Sequence, residues 1–160
     1  MRVIVFGNSG SGKTTLARKL IAGHSAALLA LDDIAWVRGT SKRLPFNESA
    51  ARLQAFILEH EAWVIEGCYG ELIKAALPYC TELYFLNPGA EVCAVRCVSR
   101  SWEPEKFPSP EKQNEVLPVL LQWVRLYETR PDEYGLREHR KIFESFNGRK
   151  REIGALDTAF

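Results

Sequence analysis

Residues 7–14 read Gly-Asn-Ser-Gly-Ser-Gly-Lys-Thr, a match to G-x-x-x-x-G-K-[ST]. They stand between an apolar run, Val3-Ile4-Val5-Phe6, and a stretch of good helix formers from Thr14 to Ala22. This strand, loop and helix context limits the fold more than any other feature of the chain. A short continuous apolar run predicts a central parallel strand buried on both faces. In the helix that follows, Leu16 and Leu20 are four apart and Gly23 is placed to stop it. Glycines let a backbone curl with its N–H groups turned inward on an anion, and the helix adds the positive end of its dipole. Gly7, Asn8, Ser9, Gly10, Ser11, Gly12, Lys13, Thr14 and Thr15 are therefore expected to hold the phosphates of ATP. Lys13 would lie across the β and γ phosphates, and Thr14 would hold a magnesium ion.

The alternation continues down the chain. Apolar runs at 27–31, 63–65 and 83–86 predict three more strands, and 50–60 predicts a helix with Leu53, Phe56, Ile57 and His60 on one face. Strands alternating with helices imply an α/β domain in three layers: a parallel sheet, right-handed crossovers and helices on both faces. Helices are expected near 114–129 and 132–146, and Arg149 to Ile153 is left for a weak fifth strand with a single aliphatic residue. Between them, Ser101 to Pro110 contains three prolines and two aromatics, Trp102 and Phe107, and reads as a mobile flap over about 101–112. A chain of 160 residues buries enough surface for one core, so a single domain over 1–160 is expected.

Charge and cysteine content exclude several function classes. The net charge of +1 predicts no general affinity for nucleic-acid backbones. Four cysteines without C-x-x-C spacing, of which only Cys93 and Cys97 share a helix face, read as free thiols in a reducing compartment. Only four apolar residues precede Gly7, so neither a secretory segment nor a membrane span is expected there, and cytoplasmic residence follows.

Two absences narrow the class of phosphate-loop protein. No N-K-x-D sequence reads a guanine base, and no run of four aliphatics leads into Asp-Glu. The third strand ends instead in Val64-Ile65-Glu66-Gly67. With Leu31-Asp32-Asp33-Ile34-Ala35-Trp36 and Ile65-Glu66-Gly67-Cys68-Tyr69, the chain resembles the small-molecule and nucleoside monophosphate kinases. The likeness is nearest to the adenylate-kinase-like topology modulation proteins and the shikimate kinases. Glu66 and Cys68 depart from that family's pattern, which has Asp and Asn there. The resemblance implies a P-loop nucleoside triphosphatase fold with a sheet of about five strands and a short lid.

It also implies a set of acting residues. Asp32 is expected to bind the acceptor or orient its hydroxyl. Asp33 is the rival, because adjacent side chains diverge, and a helix cap is the other use for one of the pair. Trp36, Glu66, Gly67 and Tyr69 are expected at the acceptor, with Glu66 also reaching magnesium through a water. A tryptophan at this position more often packs in a core than stacks on a substrate, so packing is the other reading of Trp36. Arg96 and Arg100, four apart on the helix after strand four, would neutralise phosphoryl oxygens during transfer. Of Arg125 and Arg130, five apart on the helix returning from the flap, helical periodicity lets at most one reach the site, and Arg125 is the candidate. The expected activity is transfer of the γ-phosphoryl of ATP to a small acceptor, either nucleoside monophosphate-like or a small hydroxylated metabolite. The alternative is a nucleotide-dependent regulator acting on DNA or a protein partner.

Overall fold

The computed structural model describes residues 1–157. Residues 158–160, included in the expected domain, lie outside the described residues. Five strands form one sheet: β1 (Arg2–Gly7), β2 (Ala27–Ala30), β3 (Trp63–Gly67), β4 (Glu82–Leu86) and β5 (Arg149–Ile153). Their order is β2-β3-β1-β4-β5, and every neighbouring pair is parallel. Successive side chains of a strand point to opposite faces, and the core divides accordingly. Ile4, Phe6, Trp63, Ile65, Leu83 and Phe85 face one side, while Val3, Val5, Val64 and Leu86 face the other.

The second of these faces is covered by α1 (Lys13–Ile21) through Leu16 and Ala17. The first is covered by α3 (Phe46–Glu59), α4 (Gly70–Ala76) and α7 (Leu136–Ser145), and α2 (Asp32–Ala35) is one short turn at the end of β2. Behind the phosphate loop, α5 (Ala90–Val98) packs on α6 (Pro110–Arg125) around Cys93, Ala94, Cys97 and Val124.

The weak fifth strand forms because its side chains are fixed from outside the sheet. Lys150 Nζ donates to the carbonyls of Phe143, Glu144 and Phe146 at 2.9, 3.2 and 2.7 Å, closing the C-terminal end of α7 where a cation meets the negative end of the dipole. Arg140 grips Glu152 with two donors at 2.6 and 2.8 Å. Apolar patterning carries neither interaction.

Several boundaries differ from the sequence expectation. The helix expected at 114–129 begins at Pro110, where a proline sits without cost in the first turn and Ser109 caps Lys112 N. The final residues of the expected flap are therefore helical, and Pro110 starts a helix instead of preventing one. Pro118 lies inside α6 at an exposed position, so the carbonyl it leaves unpaired faces water. The helix expected at 132–146 starts only at Leu136, after a turn in which Asp132 accepts from Arg130 and from Tyr134 N. Cys93 and Cys97 are buried and Cys68 and Cys80 half-buried, all four as free thiols. Among the described residues, no helix is long and apolar enough to cross a membrane.

Candidate functional site

The site lies along the C-terminal ends of β1, β2 and β3, where parallel sheets gather their ligands. The loop from Gly7 to Gly12 packs against α5 so closely that glycine is obligatory at its centre. Gly10 has φ +79°, and a Cβ there would stand 2.3 Å from the Cys93 carbonyl oxygen and 2.8 Å from Cys97 Sγ. Asn8, buried, secures the loop from both sides: its Nδ2 donates to the Val124 carbonyl at 3.0 Å, and its Oδ1 accepts from Ser9 N at 2.9 Å. Ser11 Oγ is buried without a protein partner, a polar atom left for a bound anion.

Lys13 is half-buried as the first residue of α1, and its Nζ folds back to the Asn8 carbonyl at 2.7 Å. Thr14 Oγ1 donates to Glu66 Oε1 at 2.9 Å, joining the helix to the end of β3. Glu66 is buried, one strand over from the loop. The donor set fits a nucleoside triphosphate with magnesium: a lysine, and a hydroxyl beside a carboxylate, supply what phosphate oxygens and a hard, largely hydrated cation require.

Asp32 and Asp33 open α2 with no side-chain cap, so the capping use does not arise. Asp32 Oδ1 accepts from the hydroxyl of Tyr69, which in turn accepts from Trp36 Nε1 at 2.8 Å. Burial and the neighbouring Asp32 push the Tyr69 phenol up, which keeps it a proton donor. Trp36 is 37% exposed, so it both packs and presents a face. Partial burial raises Asp33 above the ordinary carboxylate value, with the charge of Asp32 adding to it. Gly67 lies against Leu31, where a Cβ would come within 2.8 Å of the Leu31 Cβ, and this keeps the ends of β2 and β3 close.

The arginines divide differently from the sequence expectation. Arg96 lies on α5, and its Nη1 donates to the Ser11 carbonyl at 3.0 Å, directly over the phosphate loop. Beside it, Glu91, Val92, Val95 and Arg96 line an open cavity of about 340 Å³. Arg100 does not share that helix face, because α5 ends at Val98. It is held by Glu103 at 3.4 Å, with Cys97 Sγ at 3.9 Å from its Nη2.

Arg125 points away from the Asp32 cluster and pairs with Glu91 at 3.0 Å on the surface. Arg130 is the inward one of the two. Its guanidinium stacks on Trp123 at 4.4 Å and on Tyr134 at 5.5 Å, is gripped by Asp132, and leaves Nη1 buried without a partner. Arg43 likewise lies over Tyr69 at 4.8 Å and Trp36 at 6.0 Å. Helical spacing admits only one of Arg125 and Arg130 without saying which, and Trp123 on α6 and Tyr134 in the turn at 130–135 carry no local signal of the stack they form on Arg130.

The flap has its own internal order. Gln113 Oε1 accepts from Glu103 N at 2.8 Å, Gln113 Nε2 donates to the Ser101 carbonyl at 3.1 Å, and Trp102 Nε1 donates to the Phe107 carbonyl at 3.1 Å. Trp102 is 43% exposed, so the flap is not pinned by a buried tryptophan. Lys106 pairs with Glu103 at 3.1 Å and reaches Asp32 Oδ2 at 3.9 Å, which brings the flap to the Asp32 side of the cluster.

Behind the site, His139 is fully buried, and burial lowers it to about 4, with Lys13 adding to the effect and Asp132 opposing it. The folded value lies below the ordinary 6.5, so between those limits the unfolded chain binds the extra proton. Stability therefore falls as pH falls from about 6.5 and levels off below about 4. This histidine alone should cost roughly 2 to 3 kcal/mol between pH 7 and 4.5, read from urea denaturation at the two values. A flat profile across that window would show that His139 is not buried neutral.

No family model matches the sequence, and no curated protein is significantly similar to it. Solved structures are. A sugar kinase from Janibacter sp. has 14% identity and a TM-score of 0.50, over 96% of this chain and 84% of that one. A gluconokinase from Sinorhizobium meliloti has 16% identity and a TM-score of 0.50, over 97% and 82%. The shikimate kinase of Acinetobacter baumannii, solved with shikimate, has 18% identity and a TM-score of 0.43 over 88% of this chain and 89% of that one. The first two are similar across nearly the whole chain, and with the all-parallel sheet they define the fold as that of the P-loop kinases.

Proposed function

We propose that the protein is an ATP-dependent kinase that transfers the γ-phosphoryl group to a small acceptor, either nucleoside monophosphate-like or a small hydroxylated metabolite. The observation that carries this reading is the position of Asp32 relative to the phosphate loop. Asp32 follows β2, and the loop follows β1, with β3 and Glu66 between them. Two strand spacings, about 10 Å, leave room for a phosphoryl group and an acceptor hydroxyl in line.

Gly7 to Thr15 would wrap the phosphates, and Lys13 would leave the Asn8 carbonyl for the β and γ oxygens. Arg96 would neutralise charge from above the loop. Thr14 and, through water, Glu66 would hold magnesium, which when bound supplies positive charge at the phosphate oxygens. Asp32 would accept the acceptor's hydroxyl proton while Tyr69 and Trp36 hold its carboxylate in place. Arg43, which donates to the Ala35 carbonyl at 2.6 Å, and Arg130, gripped by Asp132, would add positive charge on the side where an anionic acceptor would bind. Arg100 and Lys106 would bring the lid over both substrates.

A phosphotransfer screen with magnesium-ATP against nucleoside monophosphates, nucleosides and small hydroxylated acids tests the reading. Transfer to none of them, with ATP turnover unchanged by any, would overturn it. Thr14→Ala should shift the magnesium titration to higher concentration by tenfold or more, since the hydroxyl is the proposed ligand. An unchanged titration would remove Thr14 from that role.

The base is assigned to the cavity beside Arg96, whose walls are chiefly the apolar Val92 and Val95. Such walls hold a ring without reading its edges, so ATP should be preferred over GTP by less than a thousandfold in kcat/KM. A larger preference would require a base-reading group elsewhere.

A further inference from the structure

We infer that His139, with Tyr127, is a positioning residue that holds the acceptor side of the site in register with the phosphate loop, an inference that rests on the kinase reading above. The imidazole is buried between three segments. Its Nε2 lies 2.9 Å from the Cys68 carbonyl, its Nδ1 2.7 Å from the Tyr127 hydroxyl, and its edge meets the ring of Phe6. A carbonyl can only accept, so Nε2 carries the proton. In the neutral ring Nδ1 is then the acceptor, and the Tyr127 O–H donates to it. Each partner thereby fixes the other's role.

The consequence runs outward in both directions. The Cys68 carbonyl and the Tyr69 N–H belong to one planar peptide unit, so pinning that oxygen sets the plane from which Tyr69 departs. Tyr69 is also held from the far side, where its carbonyl accepts from Ile73 N at 2.9 Å at the start of α4. Its hydroxyl is thus aimed at Asp32 and at Trp36. In the other direction, Tyr127 follows directly on the end of α6. Three residues earlier, the Val124 carbonyl accepts from Asn8 Nδ2 of the phosphate loop at 3.0 Å. One helix end therefore touches the donor loop through Asn8 and the acceptor loop through His139.

Phosphoryl transfer depends on alignment of the two halves within fractions of an ångström, so loosening this joint should slow transfer without weakening ATP binding. The core contacts of His139 with Phe6 and Phe85 account for its burial but not for its two hydrogen bonds, one to the loop that carries Tyr69 and one to the helix end that Asn8 holds.

Tyr127→Phe removes one hydroxyl and keeps the ring, and Tyr69→Phe marks the state in which Trp36 has lost its acceptor. In the ligand-free protein, the side-chain indole N–H resonance of Trp36 should move in Tyr127→Phe toward its position in Tyr69→Phe, while that of Trp63 stays. With magnesium-ATP and water as acceptor, Tyr127→Phe should lower kcat about tenfold, with ATP affinity within twofold. Adding it to Tyr69→Phe should cost less than it does alone, as expected when one residue acts through the other. His139→Gln, which keeps a donor for the Cys68 carbonyl, should retain more kcat than His139→Phe. A lowered denaturation midpoint with Trp36 unmoved and kcat unchanged would make the pair ordinary core packing and overturn the inference. If the wild-type protein transfers a phosphoryl group to none of the screened acceptors, the kinase reading fails by itself, and the Trp36 resonance alone then supports or overturns the relay.

Discussion

Lys13→Ala should reduce ATP-dependent phosphoryl transfer by a thousandfold or more, equivalent to about 4 kcal/mol of lost transition-state stabilisation. The side chain is half-buried and its one polar contact is to the Asn8 carbonyl inside the loop it serves. Alanine suits the first turn of α1 as well as lysine does, so the fold should survive with little change in melting temperature. The effect must appear as a loss of rate in a folded protein, which circular dichroism and turnover measured on one preparation will show. A variant that keeps a tenth of wild-type transfer would remove Lys13 from the transition state.

The second large effect is expected from Asp32→Asn. Asparagine keeps an oxygen for the Tyr69 hydroxyl but has neither the charge nor the basicity to take a proton from an acceptor. Transfer should fall by roughly a hundredfold to ten-thousandfold. ATP affinity should stay within a few-fold, because Asp32 stands two strands from the phosphate loop. Asp33→Asn is the matching control and should cost less than fivefold, since the Tyr69 hydroxyl is held by Asp32. If Asp33→Asn proves the more damaging of the two, the assignment of Asp32 is reversed.

The lid contacts bear on both experiments. Lys106 reaches Asp32 at 3.9 Å while Glu103 holds Arg100 and Lys106 together. An acidic residue thus keeps two cations near the site when no phosphate is bound. A bound phosphoryl group would compete with Glu103 for them, and ligand-dependent ordering of 101–109 would follow from that difference in contact.

The sequence by itself determined the phosphate-loop motif, the three central strands and the Asp32-Asp33 pair at the end of β2, because each depends on residues close together in the chain. A glycine pattern between an apolar run and a helix leaves one geometry, and β-strand periodicity is read over five residues. Helical spacing left Arg125 and Arg130 as rivals, and the packing of Arg43, Trp123 and Tyr134 was beyond that reach. Whether an arginine turns inward is decided by what packs against it. For Arg130 that is a turn at 130–135 and two rings brought from α6 and from the turn itself. The weak strand β5 depended likewise on Lys150 and Arg140, whose partners are the carbonyls closing α7 and a carboxylate twelve residues away. Arg100 left its expected face because α5 ended two residues short of it, and Glu103 then claimed the guanidinium. Local periodicity specifies which groups a segment can offer. The tertiary structure decides which of them meet, because burial and charge pairing act between segments that the sequence holds far apart.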